Sequence, residues 1–115
     1  MALIWRKPVA VLNRFSEMLP EISSWQRDIH AHPELRFQEQ RTAAFVASKL
    51  KEFGCDGVVT GFGQTGVVAV IYGKSDSLNN TISFRAYMDA LPIQKATDLP
   101  HTSTIPKKMH ACGHD

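Results

Sequence analysis

Long apolar runs are what this sequence most lacks. The longest, TGVVAVIYG at residues 65–73, falls far short of the roughly 18–20 residues that a membrane-spanning helix needs, and it reads instead as a buried strand. An excess of charge of one sign is missing too. Thirteen Lys and Arg face eleven Asp and Glu, leaving a formal net charge of +2. The basic residues Arg6/Lys7, Arg27, Arg36, Arg41, Lys49/Lys51 and Lys107/Lys108 are interleaved with acids and form no stripe, so no partner is expected among nucleic acids or membranes. Cysteine is scarce as well: Cys55 and Cys112 could pair, but in a reducing compartment a disulfide is the rarer use of either. The opening MALIWRKPVAVLNRF has only five residues before Arg6 and Lys7, and its apolar stretch is broken by Pro8 and Asn13. It does not have the layout of a secretory signal, and a cytoplasmic location is expected.

What remains is the composition of one ordinary soluble domain or a piece of a larger one, with 115 residues of which 43% are hydrophobic. No internal repeat or low-complexity tract interrupts it. Leu12, Phe15 and Leu19 are spaced for one helix face before Pro20. Pro20 suits the first turn of a helix whose face carries Ile22, Trp25 and Ile29, and Pro33 should stop that helix before HAHPEL. In EQRTAAFVASKLKEFG, residues Ala43, Val46, Ala47, Leu50 and Phe53 recur at three and four positions, and Gly54 supplies a left-handed stop. GVVTG, GVVAVIYG and TISFRAYMDALPI, bounded by glycine, serine and asparagine, read as strands buried on both faces. The fold class is therefore α/β, with helices packed on a mixed sheet. QKATDLPHTSTIPKK reads as a loop.

That loop delivers the chain to MHACGHD, residues 109–115, the densest group of metal-ligand side chains in the sequence. In an extended segment Cys112 and His114 point the same way, and His110 shares their parity. A thiolate and a neutral imidazole suit zinc or another borderline divalent ion. Two ligands are not a site, and from spacing alone an accidental, solvated tail is an equal alternative. Asp89 lies at the C-terminal end of a strand, where open α/β sheets place ligands, and could orient a ligating imidazole; it could equally be a turn or cap aspartate before ALP. His30 and His32 at a helix end are more often caps of the last carbonyls than catalysts. Cys55 reads as a small apolar filler.

Four stretches together, RDIHAHPELRFQEQRTAAFVASKL, GQTGVVAVIYG, FRAYMDALPIQ and MHACGHD, resemble the metal-dependent amidohydrolases and peptidases that include aminoacylases and carboxypeptidases. The nearest branch is that of hippurate hydrolase, N-acyl-amino-acid hydrolases and plant auxin-conjugate hydrolases. The resemblance covers most of residues 20–115 and implies a zinc-peptidase-like catalytic domain with a two-metal centre of zinc, manganese, cobalt or nickel. It makes Cys112 and His114 metal ligands and Asp89 a residue that orients a ligand. It implies hydrolysis of the amide bond of a small N-acyl amino acid, with a glutamate as general base on a metal-bound water.

Residues 1–115 would then be an incomplete N-terminal segment of the catalytic domain, with no second (lid) domain. The base, the remaining ligands and the lid would follow later, and the isolated chain should lack turnover. A homo-oligomer of the complete enzyme stays open. Two departures stand out: Tyr87 replaces a usual aspartate, and Lys107 and Lys108 replace a glycine and an apolar residue. The alternatives are a truncated, non-catalytic fragment that binds metal or associates with a subunit, and a small structural zinc module using Cys55, Cys112 and the histidines.

Overall fold

The computed structural model describes residues 13–75, 80–96 and 98–112; Leu12, the middle of the KSDSLNN turn, His114 and Asp115 lie outside them. Helix α1 spans Asn13–Ala31 and α2 spans Gln40–Glu52. Strands β1 (Gly57–Phe62) and β2 (Gly66–Val70) form an antiparallel hairpin. Among the described residues no helix is long and apolar enough to cross a membrane. The architecture is α/β, with α2 laid on the hairpin.

Local signals set most of these boundaries. α1 ends at Ala31, ahead of Pro33 as expected. α2 ends one residue before Phe53, and Gly54 follows with φ 77°. Pro20 departs from expectation, lying inside α1 rather than in its first turn. A proline there removes one helical hydrogen bond and crowds the carbonyl of Ser16. α1 tolerates it because the helix buries none of its residues and Ser16 is exposed to water.

Small side chains let α2 approach the sheet closely. Ala43 and Ala47 are buried, as the periodicity predicts, with Thr42 beside them. Val46 and Leu50 are half-buried, while Phe53 stays 58% exposed and instead stacks on Trp25 of α1 at 5.8 Å between centroids. Trp25 also meets Phe45 edge-on at 6.3 Å, and the Arg41 guanidinium donates to Asp28 at 2.6 Å. These contacts join the two helices.

The strands correct the expectation of burial on both faces. Val59, Phe62, Val68 and Val70 remain exposed, because among the described residues only α2 covers the hairpin, and it covers one face. The predicted strand TISFRAYMDALPI forms no ladder: Ile82 is 82% and Phe84 97% exposed. Alternation predicts which side chains a strand would bury, but a ladder also needs a paired neighbour, and no described residue pairs its backbone with 81–89 in a ladder. Among the described residues the sheet consists of the antiparallel hairpin, with two isolated bridges outside it, Leu35 with Ala90 (parallel) and Leu91 with Met109 (antiparallel).

Candidate metal centre

Those two bridges place the candidate residues. The Ala90 N–H donates to the Glu34 carbonyl at 2.8 Å, which anchors the segment carrying Asp89 to the turn after α1. The side chain of Glu34 has a second use. α2 opens on Glu39, whose own side chain makes no capping bond, so the first N–H groups of the helix need another acceptor. Glu34 supplies it: one carboxylate oxygen accepts from Arg41 N–H at 2.8 Å, and the other from Thr42 N–H at 3.0 Å and Thr42 Oγ1 at 3.3 Å. Glu39 turns inward instead and accepts a 2.7 Å bond from Thr65 Oγ1, which ties the hairpin tip to the start of α2 in a buried contact. Sequence reasoning missed Glu34; the readable signal was a helix opening without Ser, Thr, Asp or Asn at its cap.

Asp89 is half-buried and lines a cavity of about 380 Å³ together with Arg36, Phe37, Arg85 and Tyr87. The Arg36 guanidinium lies 4.9 Å from the Phe37 ring centre and Arg85 lies 4.7 Å from that of Tyr87. The phenol at position 87 therefore serves as a platform for its neighbour's charge, a role the aspartate it replaces could not fill in this way. Cys112 is not among the residues that line this cavity.

The MHACGHD segment is brought in from the other side. Leu91 and Met109 exchange backbone bonds at 2.9 and 3.1 Å. The loop before them is closed by the fully buried Ser103, whose hydroxyl donates to the Lys108 carbonyl at 2.6 Å and accepts from Ile105 N–H at 3.2 Å. Thr104 then fastens the loop to the end of α1, with its N–H and hydroxyl both donating to the Ala31 carbonyl, at 2.9 and 2.7 Å. Lys107 occupies the left-handed region at φ 58°, which gives a physical reason for the glycine that the family pattern places there.

His110 is buried and Cys112 exposed. Extended alternation gives both the same parity, yet their burial differs, and the backbone bends at Cys112. His114 lies outside the described residues. His32 does cap, with Nδ1 2.8 Å from the Asp28 carbonyl; His30 does not act that way and packs against other histidine rings. Neither cysteine is in a disulfide, and Cys55 is half-buried. Among the described residues no group of three or more His, Cys, Asp or Glu side chains is arranged to hold a metal ion.

Comparison with known proteins gives these motifs their context. No family model matches the chain. A hippurate hydrolase of Campylobacter jejuni is 47% identical over 105 residues, covering 85% of this chain and 27% of that protein. A probable hydrolase of Synechocystis is 45% identical over 103 residues, 90% of this chain and 26% of its own length. An N-acyl-L-amino acid amidohydrolase of Geobacillus stearothermophilus is 41% identical over 99 residues, 86% of this chain and 26% of the relative. The chain thus spans about a quarter of the length of these relatives. Among solved structures, the YxeP protein of Bacillus subtilis, described as a dinuclear metal-binding peptidase of the M20 family, superposes with a TM-score of 0.77 at 39% identity, over 86% of this chain and 27% of that one. Sequence and backbone therefore agree: over most of its length the chain is similar to metal-dependent amidohydrolases and to a peptidase of the M20 family.

Proposed function

We propose that these residues form part of the catalytic domain of a metal-dependent hydrolase that cleaves the amide bond of N-acyl amino acids, releasing a carboxylic acid and a free amino acid. The observation that carries this reading is the 47% identity to a hippurate hydrolase over 85% of this chain, a chain that itself carries the ligand chemistry of HACGHD. The backbone bridge between Leu91 and Met109 supports it, because it brings the segments that carry Asp89 and Cys112 side by side.

In this reading Cys112, as a thiolate, and His114, as a neutral imidazole, hold a divalent ion. The exposed side chain of Cys112, which is in no disulfide, fits such a role, and a reducing compartment such as the cytoplasm would keep it a thiol. Zinc, manganese, cobalt and nickel all accept this donor pair, and a pair of ions suits the likeness to a dinuclear peptidase. When bound, a divalent ion supplies charge that polarises a carbonyl oxygen and acidifies a water. Asp89 accepts the ring N–H of a ligating imidazole and so fixes which nitrogen faces the ion. The substrate is a small molecule.

Two donors do not complete a catalytic site, which takes about three protein ligands and an open position. The sequence contains no Glu-Glu pair to supply base and further ligand. The isolated chain should accordingly bind metal weakly and turn nothing over. A cobalt(II) titration checks the first statement: a thiolate-to-cobalt charge-transfer band should appear, survive Cys55→Ser and vanish in Cys112→Ser. Steady hydrolysis of hippurate or an acetyl-amino acid by the purified chain with manganese or zinc would overturn the second.

A further inference from the structure

Three histidines converge beneath the candidate ligand segment, and the proposed reaction uses none of them. His30 stands on the last turn of α1, His101 on the long loop, and His110 two residues before Cys112. The His30 ring lies 5.8 Å from His101, nearly edge-on at 66°, and 6.3 Å from His110, tilted by 35°. His110 is only 8% exposed. One ring on a helix therefore touches two rings on a segment which, among the described residues from 92 to 108, has neither helix nor strand.

Such a segment needs outside contacts to keep one path. Thr104 provides one by its two bonds to the Ala31 carbonyl, a single residue from His30. The Leu91–Met109 bridge provides another, immediately before His110. The His30–His110 contact lies between these anchors and Cys112, at the point where the buried backbone turns outward. We infer that His30 is a positioning residue: its ring seats the His110 side chain and so sets the direction in which the backbone runs on to Cys112. The functional consequence rests on the metal-binding reading of Cys112; the seating itself does not. A flat ring at position 30 is what the contact geometry requires, since edge-on and tilted ring pairs are the favoured arrangements.

The test uses the 115-residue chain, with amide hydrogen exchange at Leu91 and Met109 and cobalt(II) affinity read from the thiolate band. His30→Ala should speed exchange at both amides and weaken cobalt binding about three- to tenfold, whereas His30→Phe should stay within about twofold of the parent. Exchange at the Ala47 amide, deep in α2, should be the same in all three. If His30→Ala also loses protection at Ala47, His30→Leu, which fills the space without a flat ring, replaces it in the same comparison. Unchanged exchange at Met109 in the ring-less variant, or a Phe variant as impaired as the ring-less one, overturns the inference. If the parent shows no thiolate band, the metal reading fails by itself, and the exchange comparison still decides whether His30 seats the segment.

Discussion

Replacing Glu34 by alanine should unfold this protein more readily than any exposed substitution on α2. The carboxylate accepts from two backbone N–H groups and one hydroxyl at the start of the helix. Arg41 is exposed, so its freed N–H regains water, and that loss is small. Thr42 is 1% exposed, so its N–H and hydroxyl would stay buried without their acceptor, at about 1–3 kcal/mol. Removing a negative charge from a helix N-terminus adds about 0.3–1 kcal/mol. The total, about 1.5–4 kcal/mol, corresponds to a fall in Tm on the order of 5–20 °C for a domain of this size. Glu34→Gln keeps one acceptor oxygen and should lose about 1 kcal/mol. Far-UV circular dichroism melts of both variants, with Lys51→Ala as the exposed control, measure the difference. A Glu34→Ala melt indistinguishable from that of the Lys51 control would refute the capping argument.

Three further outcomes follow from individual contacts. Thr65→Val removes the donor to the buried Glu39 carboxylate and should cost about 1.5–3 kcal/mol in urea unfolding; a change within error would mean that water replaces the hydroxyl. Lys107→Gly relieves a side chain held at φ 58° and should stabilise by up to about 1 kcal/mol, unless the Lys107 N–H bond to Gln94 Oε1 at 3.0 Å is lost with it. Glu52 accepts a hydrogen bond from the Lys49 ammonium, which holds its carboxyl below the usual glutamate value. The stabilisation from this pair is therefore present above that value and lost as pH falls through the lowered one. An NMR titration of Glu52 should show the depressed midpoint and its return in Lys49→Met.

The elements that depend on neighbours within a few residues were legible in the sequence. Ala43 and Ala47 mark the buried stripe of α2, Gly54 its stop, and Pro33 the end of α1, because each acts through local geometry. Pro20 misled because its cost depends on whether the surrounding helix is buried, and α1 is not. Residues 81–89 read as a strand because β-rich alternation is local, whereas a ladder depends on a partner that the described residues do not include. Glu34 as a cap and His30 as a ring platform were illegible for the same reason: one reaches seven and eight residues ahead, and the other meets a residue eighty positions away. At the candidate site, the motifs singled out Cys112, His114 and Asp89, but strand parity did not reveal that His110 is buried while Cys112 is exposed, which depends on packing outside the motif.

The central claim is that this stretch supplies metal ligands to an amidohydrolase. Its most direct test is a chimera in which these residues replace the matching ones of the Campylobacter hippurate hydrolase, to which they are 47% identical. The metal-loaded chimera should hydrolyse hippurate, lose that activity and its bound metal in Cys112→Ser and His114→Ala, and fall about ten- to a hundredfold in Asp89→Asn. A folded chimera that hydrolyses hippurate equally well with and without Cys112 and His114, or that binds no divalent metal at all, would contradict the account.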